Sequence, residues 1–488
     1  MEYEAVIGLE VHAEMQTRSK MFCACPVVDT TQVEANVAVC PVCAGMPGVL
    51  PVVNRQAVEY GLRVALALEC EVARTSLFDR KNYFYPDLPK GYQISQYEYP
   101  LAQHGQLWIT TSQGERAVRV RRVHLEEDTG KLTHVTRDGE SYSLVDLNRA
   151  GISLLEIVSE PDMHTVEEVR AYADGLRAIV RYLGVNSGDM EKGVIRFEAN
   201  VSVRPAGSQT LGTRVEIKNL NSFRALERSV AYQIEEQIAA LERGESVVQQ
   251  TLGWDETAGK TFSQRSKEEA HDYRYFPEPD LPPLVVEPEW AAAVAASLPE
   301  LPRAKRARFQ AEFGLTPYEA RLLAEDQAVA RYFERAAAAG KGLAPRTLAL
   351  WITGELFGWL NQNGGDIETL RVAPEGLAEL LGFLERGEIN MATAKTLLGD
   401  MLVSGQSAAA LIQSRGLRQI SDSDVLAALV RQALEENPAE LQSYLSGKET
   451  LANWFFGQVM RAARGQGNPQ VIRAELERQL AERKQAAS

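Results

Sequence analysis

The sequence predicts an α+β protein, a β-rich cradle domain followed by an all-helical middle domain and a helical C-terminal tail domain. Three observations predict it. Up to about residue 275, runs such as YEAVIGLEVHAEM, QLWITT, RAVRVRRVHLEED, IRFEANVSVRP and TRVEIKNL are interspersed with helical stretches such as VEEVRAYADGLRAIVRYLG. The passage FPEPDLPPLVVEPEW then interrupts the pattern, because proline removes donors from helices and sheets alike. Beyond it nearly everything reads helical: PELPRAKRARFQAEFG and PYEARLLAEDQAVARYFERAAAAG have prolines at their N-termini and glycines just past their ends. A further break at LVSGQSAAA gives three expected domains, 1–293, 294–407 and 408–488. That number suits a chain of 488 residues at roughly 150 residues per domain.

Composition narrows the class. Apolar residues at 45% and charged ones at 24% are ordinary for globular domains, which excludes a disordered or fibrous chain. No apolar run reaches the ~18 to 20 residues that span a bilayer. The start, MEYEAVIGLE, lacks the basic n-region and apolar core of a secretory signal, so a cytoplasmic chain with no membrane partner is expected. The net charge of −14 argues against a chain-wide nucleic-acid surface, since phosphate neutralisation needs clustered Lys and Arg. From Leu411 onward, ten basic residues meet nine acidic ones, so RNA contact is expected in the tail or in local pockets.

The first strand alternates Ile7, Leu9, Val11, Ala13 and Met15 with Gly8, Glu10, His12 and Glu14, the period of a half-buried strand. Glu10 and His12 thus share one face. Immediately after it come Cys23-x-Cys25 and, fourteen residues on, Cys40-x-x-Cys43. Four thiolates at these spacings suit one tetrahedral zinc ion with no open position, a structural rather than a catalytic centre. Four buried small hydrophobes are the alternative. Cys70, ending AVEYGLRVALALEC, reads as core.

Further along, RRVHLEEDTGK carries Glu126, Glu127 and Asp128 at the end of a basic β run, and SLLEIVSEPD and IRFEANVSVRP place Glu156 and Glu198 within apolar strands. Carboxylates in such strands are costly to bury unless paired or bound to a metal, and several together suit a hard cation such as Mg²⁺. GWDETAGKT looks like a phosphate-binding P-loop but fails it: five residues, not four, separate Gly253 from Gly259, and no apolar helix follows.

Together these stretches resemble the GatB family, the B subunits of the glutamyl/aspartyl-tRNA amidotransferases. The resemblance is carried by VIGLEVHAEMQTRSKMF, PGVLPVVN, FDRKNYFYPDLPKGYQISQYE, HLEEDTGK, SLVDLNRAGISLLEIVSEPD, EANVSVRP, VEIKNLNSFRALERS and RSKEEAHDYRYFPEPDL, and covers nearly the whole chain. It implies a carbon–nitrogen ligase with glutamine as amido donor. The carboxylate of glutamate or aspartate wrongly attached to tRNA(Gln) or tRNA(Asn) is phosphorylated by ATP, and channelled ammonia then displaces the phosphate. A non-catalytic scaffold that recruits tRNA to the same complex is the alternative.

The implied partners are a glutaminase (amidase) subunit, with a small third subunit, in a heterotrimer, together with the misacylated tRNA and the synthetase that misacylates it. Carried over by position, His12, Glu127 and Glu156 resemble the family's Mg²⁺ ligands, with Glu10 and Glu198 in the same kinase pocket. Glu198 departs from the Asp of many relatives. Lys81, Tyr83 and Lys90 resemble residues near the ammonia path and the aminoacyl end; a solvated turn is their bland alternative. Cys23, Cys25, Cys40 and Cys43 match a zinc knuckle found in many members. RAARGQGNPQVIRAELERQ resembles the stretch of the tail that contacts the tRNA elbow, with Arg461, Arg464 and Arg473 positioned to reach phosphates.

Overall fold

The computed structural model describes residues 2–263, 273–417, 423–463 and 467–486. The chain divides into two compact units, 1–304 and 305–488. The first is built on a nine-stranded sheet whose strands we label β1 (Tyr3–Glu14), β2 (Glu71–Val72), β3 (Ala102–Thr111), β4 (Gly114–Glu127), β5 (Ser153–Ser159), β6 (Ile195–Pro205), β7 (Val215–Leu220), β8 (Gln250–Asp255) and β9 (Lys260–Ser263). Their order in the sheet is β9-β8-β7-β6-β1-β5-β4-β3-β2. All neighbours are antiparallel except the pair β7 and β8.

The alternation read from the sequence divides this sheet into two chemical faces. Ile7, Leu9 and Val11 on β1, Val123 and Leu125 on β4, Leu155 and Ile157 on β5, and Phe197, Ala199 and Val201 on β6 are buried in one core. Three helices pack buried residues into that core: α1 (Arg55–Ala67), α2 (Val166–Tyr182) and α3 (Phe223–Glu242). Each starts on a residue suited to satisfying free helix N–H groups. Asn54 accepts from Gln56 N at 2.9 Å, Thr165 forms a reciprocal capping box with Glu168, and Ser222 accepts from Ala225 N at 3.0 Å.

On β4 the alternation is interrupted by a bulge. Val158 pairs with Arg122 and Ser159 with Val120, so Arg121 is an extra residue. Val118 and Val120 on one side of it, and Val123 and Leu125 on the other, are all buried in the helix-covered core although their spacing changes parity. Exposed Arg119 and Arg121 pair with Asp162 and Glu160.

The P-loop lookalike is a hairpin, β8 and β9, with Asp255 Oδ1 accepting from the backbone of Thr257 and Ala258 at 2.9 Å each. Cys70 is buried in the cradle core.

The second unit is helical and holds two separate apolar cores. One gathers Phe309, Phe333, Leu348, Leu377 and Leu397. The other gathers Leu426, Val430, Leu434, Phe455, Val459, Ile472 and Leu476 from the helices Ser423–Glu436, Leu451–Ala462 and Pro469–Ala486. Among the described residues, no helix is long and apolar enough to cross a membrane.

Candidate functional site

The face of the sheet opposite the helices carries the acids. Four strands align His124, Glu156, His12 and Arg196 directly opposite one another across β4, β5, β1 and β6, and Glu10 lies opposite Glu198. His12 Nε2 is 3.4 Å from Glu156 Oε2 and 3.7 Å from both Glu10 Oε1 and Glu126 Oε1. His124 Nε2 is 3.3 Å from the same Glu156 oxygen and 3.8 Å from Glu126 Oε2. One carboxylate oxygen therefore faces two imidazoles, and Glu126 turns one oxygen to each histidine.

The electrostatics are those of a crowded, desolvated anion cluster. Burial, reinforced by Glu156, pushes Glu10 up to about 7. Burial opposes charge on His12 and His124, but hydrogen bonding and attraction from Glu156 and its neighbours outweigh it and raise them to about 9 and about 8. Glu156 is held well below the usual carboxylate range by the two histidines despite its burial. Glu198, also buried, is lowered by Lys218, whose Nζ lies 2.9 Å away. Lys81 completes the cluster. Burial opposes its charge, yet Glu126, Tyr275 and Glu156 keep the ammonium protonated, with Nζ 5.0 Å from the Tyr273 ring centre.

These donors fit a divalent cation. Two sets of three ligand atoms, Glu10/His12/Glu156 and His124/Glu126/Glu156, each lie within 4.8 Å of one another. The oxygen-rich composition suits a hard ion.

Of the residues expected here, Glu10, His12, Glu156, Glu198 and Lys81 are brought together. Glu127 is not. It sits one residue out of phase, its carboxylate taken by Lys90 Nζ and by the backbone N–H of Ile94 at 3.0 Å. Tyr83 joins that second group, donating to Gln93 Oε1 at 3.5 Å, while Gln93 Nε2 donates to the Glu127 carbonyl at 2.7 Å. Lys81 and Lys90, read from one motif, thus serve different carboxylates. His124 is the residue that sequence reasoning missed, and Glu126, read there as one of a run of acids, was not chosen over Glu127; strand parity was the available signal, since counting by two from His124 reaches Glu126, while Leu125 and Glu127 point the other way.

The four cysteines form a separate group. Their Sγ atoms all lie within 4.8 Å of one another, with Cys40 to Cys43 at 3.8 Å and Cys25 to Cys43 at 4.0 Å. A tetrahedron of thiolates about 2.3 Å from zinc has edges of about 3.8 Å, so this set fits the ion. Cys40 N donates to Cys43 Sγ at 3.2 Å. The crowded thiols cannot all ionise unaided. Cys43, hydrogen-bonded by Cys23, is held down to about 4, while burial pushes Cys25 up to about 11.

In the second unit, Arg461 lies in the last turn of the exposed side of Leu451–Ala462. Arg473 stacks 5.1 Å from the Phe456 ring centre. Arg464 lies outside the described residues.

Residues 5–292 match the family described as the GatB/GatE catalytic domain, and residues 331–480 match the one described as the GatB domain. Three relatives are each named as the B subunit of an aspartyl/glutamyl-tRNA(Asn/Gln) amidotransferase. The protein of Thermomicrobium roseum is 51% identical over 98% of this chain and 99% of its own length. That of Myxococcus xanthus is 49% identical over 98% and 99%, and that of a Roseiflexus species 50% identical over the whole of both chains. With the catalytic-domain match spanning more than half the sequence and these relatives aligned along nearly all of it, the chain belongs to the GatB family.

Proposed function

We propose that the chain is the catalytic B subunit of a tRNA-dependent amidotransferase, an ATP-dependent carbon–nitrogen ligase acting on Glu-tRNA(Gln) and Asp-tRNA(Asn). One observation carries the reading of the site: His12, Glu10, Glu126 and Glu156 converge with Lys81 on one face of the sheet, within the stretch that matches the catalytic domain. Burying this many charges costs several kcal/mol per ion unless a ligand uses them. A scaffold that only recruits tRNA has no need of such a cluster.

The chemistry balances in two steps. The substrate carboxylate oxygen attacks the γ-phosphorus of ATP, forming an acyl phosphate and releasing ADP. Ammonia nitrogen then bonds to the acyl carbon, phosphate leaves, and the nitrogen loses a proton as the amide forms. Direct amidation fails in water because a carboxylate is a poor acceptor for an amine.

His12, Glu126, Glu156 and Glu10 would hold a magnesium ion, which when bound offsets the negative charge on the ATP phosphates. Lys81 stays cationic at the edge of the same cluster, positioned to attract a phosphate or the substrate carboxylate. The Glu127 and Lys90 pair, with Tyr83 beside it, stands next to this pocket on the other parity, and we assign it to the ammonia path. Glu198 with Lys218 closes the opposite side. The cysteine group is read as a structural zinc knuckle.

The resemblance to the family, with relatives named as B subunits, supports the partners we assign: a glutaminase that supplies ammonia, a small third protein that completes a heterotrimer, and misacylated tRNA, with its synthetase, as the substrate. We assign residues 1–293 to the catalytic cradle, 294–407 to a middle helical domain and 408–488 to an RNA-contacting tail using Arg461, Arg464 and Arg473.

The test is ADP release by the assembled complex. Release that requires misacylated tRNA, is lost in Glu126→Gln, and leaves tRNA binding intact is expected. Equal release without tRNA overturns the reading.

A further inference from the structure

Lys20 follows β1 and precedes the knuckle, and its side chain is fully buried, 0% exposed. An ammonium out of water is expensive unless its charge and its three donors are met. The donors are met: Nζ donates to Ala38 O at 2.8 Å, to Leu147 O at 3.1 Å and to Cys43 Sγ at 3.6 Å. The charge has no carboxylate. No ion pair involves Lys20 among the described residues. Glu127 lies on the far side of Gly151 from its stem, where a Cβ would meet Lys20 Cδ at 3.5 Å and Glu127 Oε2 at 3.8 Å, and that carboxylate is already taken by Lys90. Two carbonyls alone would be served by a neutral donor. The anion that calls for a cation here is the Cys43 thiolate.

Four thiolates around a divalent ion leave a surplus of roughly two negative charges. Exposed centres shed this onto water, but Cys43 is buried, and a buried thiolate needs charge brought to it.

We propose that Lys20 is an integral part of the metal centre, the fixed counter-cation of Cys43, drawing electron density from that thiolate and tying the knuckle to the loop that carries Leu147. It is a positioning residue, acting on the metal through Cys43. The inference rests on the reading that the four cysteines bind a metal. It goes beyond ligand assignment by naming what sets the charge of the centre, and it ranks the ligands: Cys43 is the thiolate that stays, and its three partners are released first.

The test loads Co²⁺ in place of zinc in the full chain within its complex, and compares wild type with Lys20→Gln, which keeps N–H donors for the two carbonyls, and Lys20→Arg, which keeps the charge. In Lys20→Gln the thiolate-to-cobalt charge-transfer band is expected to move to lower energy, because an unopposed thiolate gives up an electron more readily, and metal release to a chelator to be at least about tenfold faster. Lys20→Arg is expected to hold the wild-type band. A purely structural role would change release without moving the band. An unmoved band in a folded Lys20→Gln protein overturns the inference alone, and a wild-type chain that takes up no cobalt overturns the metal reading and the inference with it. Should Lys20→Gln not fold, alkylation of the wild type during chelation decides: Cys43 is expected to be modified last, and modification of Cys43 together with Cys25 overturns the proposal.

Discussion

The cysteine knuckle and the acid pocket begin within about a dozen residues of each other in sequence, yet they are assembled by opposite means. The knuckle draws all four thiolates from the segment between Cys23 and Cys43, and one buried lysine braces it. The pocket draws His12, His124, Glu126, Glu156 and Glu198 from four different strands, and no two of those strands adjoin in sequence except through long connections. Local ligands need only a short turn to meet, so their spacing announces them. Distant ligands meet only through strand register, so a single residue of phase decides membership. The same contrast separates the donor sets: four soft sulfurs, the chemistry that suits zinc, against oxygen-rich carboxylates, the chemistry that suits magnesium.

The sharpest way to break this comparison is to test phase directly. Glu126→Gln is expected to lower tRNA-dependent ADP formation by about 10³-fold, the scale of removing one charge-stabilising group from an active site. Glu127→Gln is expected to leave ADP formation close to wild type and to slow amide formation instead. Equal loss of ADP formation in both variants would show that register does not separate the two carboxylates.

Next in size is the knuckle. Cys40→Ser is expected to cost about 4 kcal/mol of local stability through loss of the metal, read as faster amide hydrogen exchange across residues 20–45. The Lys90 main chain and stem lie where a Cβ at Gly45 would be, 2.7–3.0 Å away, so the loosening should reach Lys90. Unchanged exchange at Lys90 would separate the two regions mechanically.

A smaller effect is expected from His124→Asn. The ring faces Glu126 and Glu156, and its loss should weaken divalent-cation affinity about 10- to 100-fold, with activity recovered at high magnesium. Recovery failing at any magnesium concentration would place His124 in the chemistry itself.

Outside both regions, Asp162→Asn is expected to cost about 0.5 kcal/mol near neutral pH, because Arg119, its partner, is largely exposed. Arg119 holds the Asp162 carboxyl below its ordinary range. A depressed folded value means the contribution is fully present above the unfolded value of about 3.9 and is lost as pH falls through the folded one. The gap between variant and parent in denaturant titrations should therefore close under acid. A gap that widens there would contradict the pairing.

The legibility of the molecule follows the same division. The cradle strands, the helical remainder and the cysteine group could be read because period-two alternation, proline breaks and Cys spacing are local signals. Glu10 and His12 were legible as one face. That this face meets Glu156 and Glu198 required the pairing of β1 with β5 and β6, which no local signal specifies. Glu127 was carried over by resemblance to a motif in which two glutamates adjoin, and only alternation with Val123 and Leu125 tells them apart. Lys20 carried no signal at all, since a lysine in TRSKMF reads as solvated until burial is known.

The bulge at Arg121 gives β4 two reading frames. Before it, Val118 and Val120 face the helices on even numbers; after it, Val123 and Leu125 do so on odd ones, leaving the even numbers for His124 and Glu126. The extra arginine acts as punctuation between a structural phrase and a chemical one. Drawing it into regular pairing would carry the even-numbered frame on from Val118 and turn the imidazole and the carboxylate into the apolar core, whereas deleting it would leave Val123 and Leu125 on the helix side and the pocket intact.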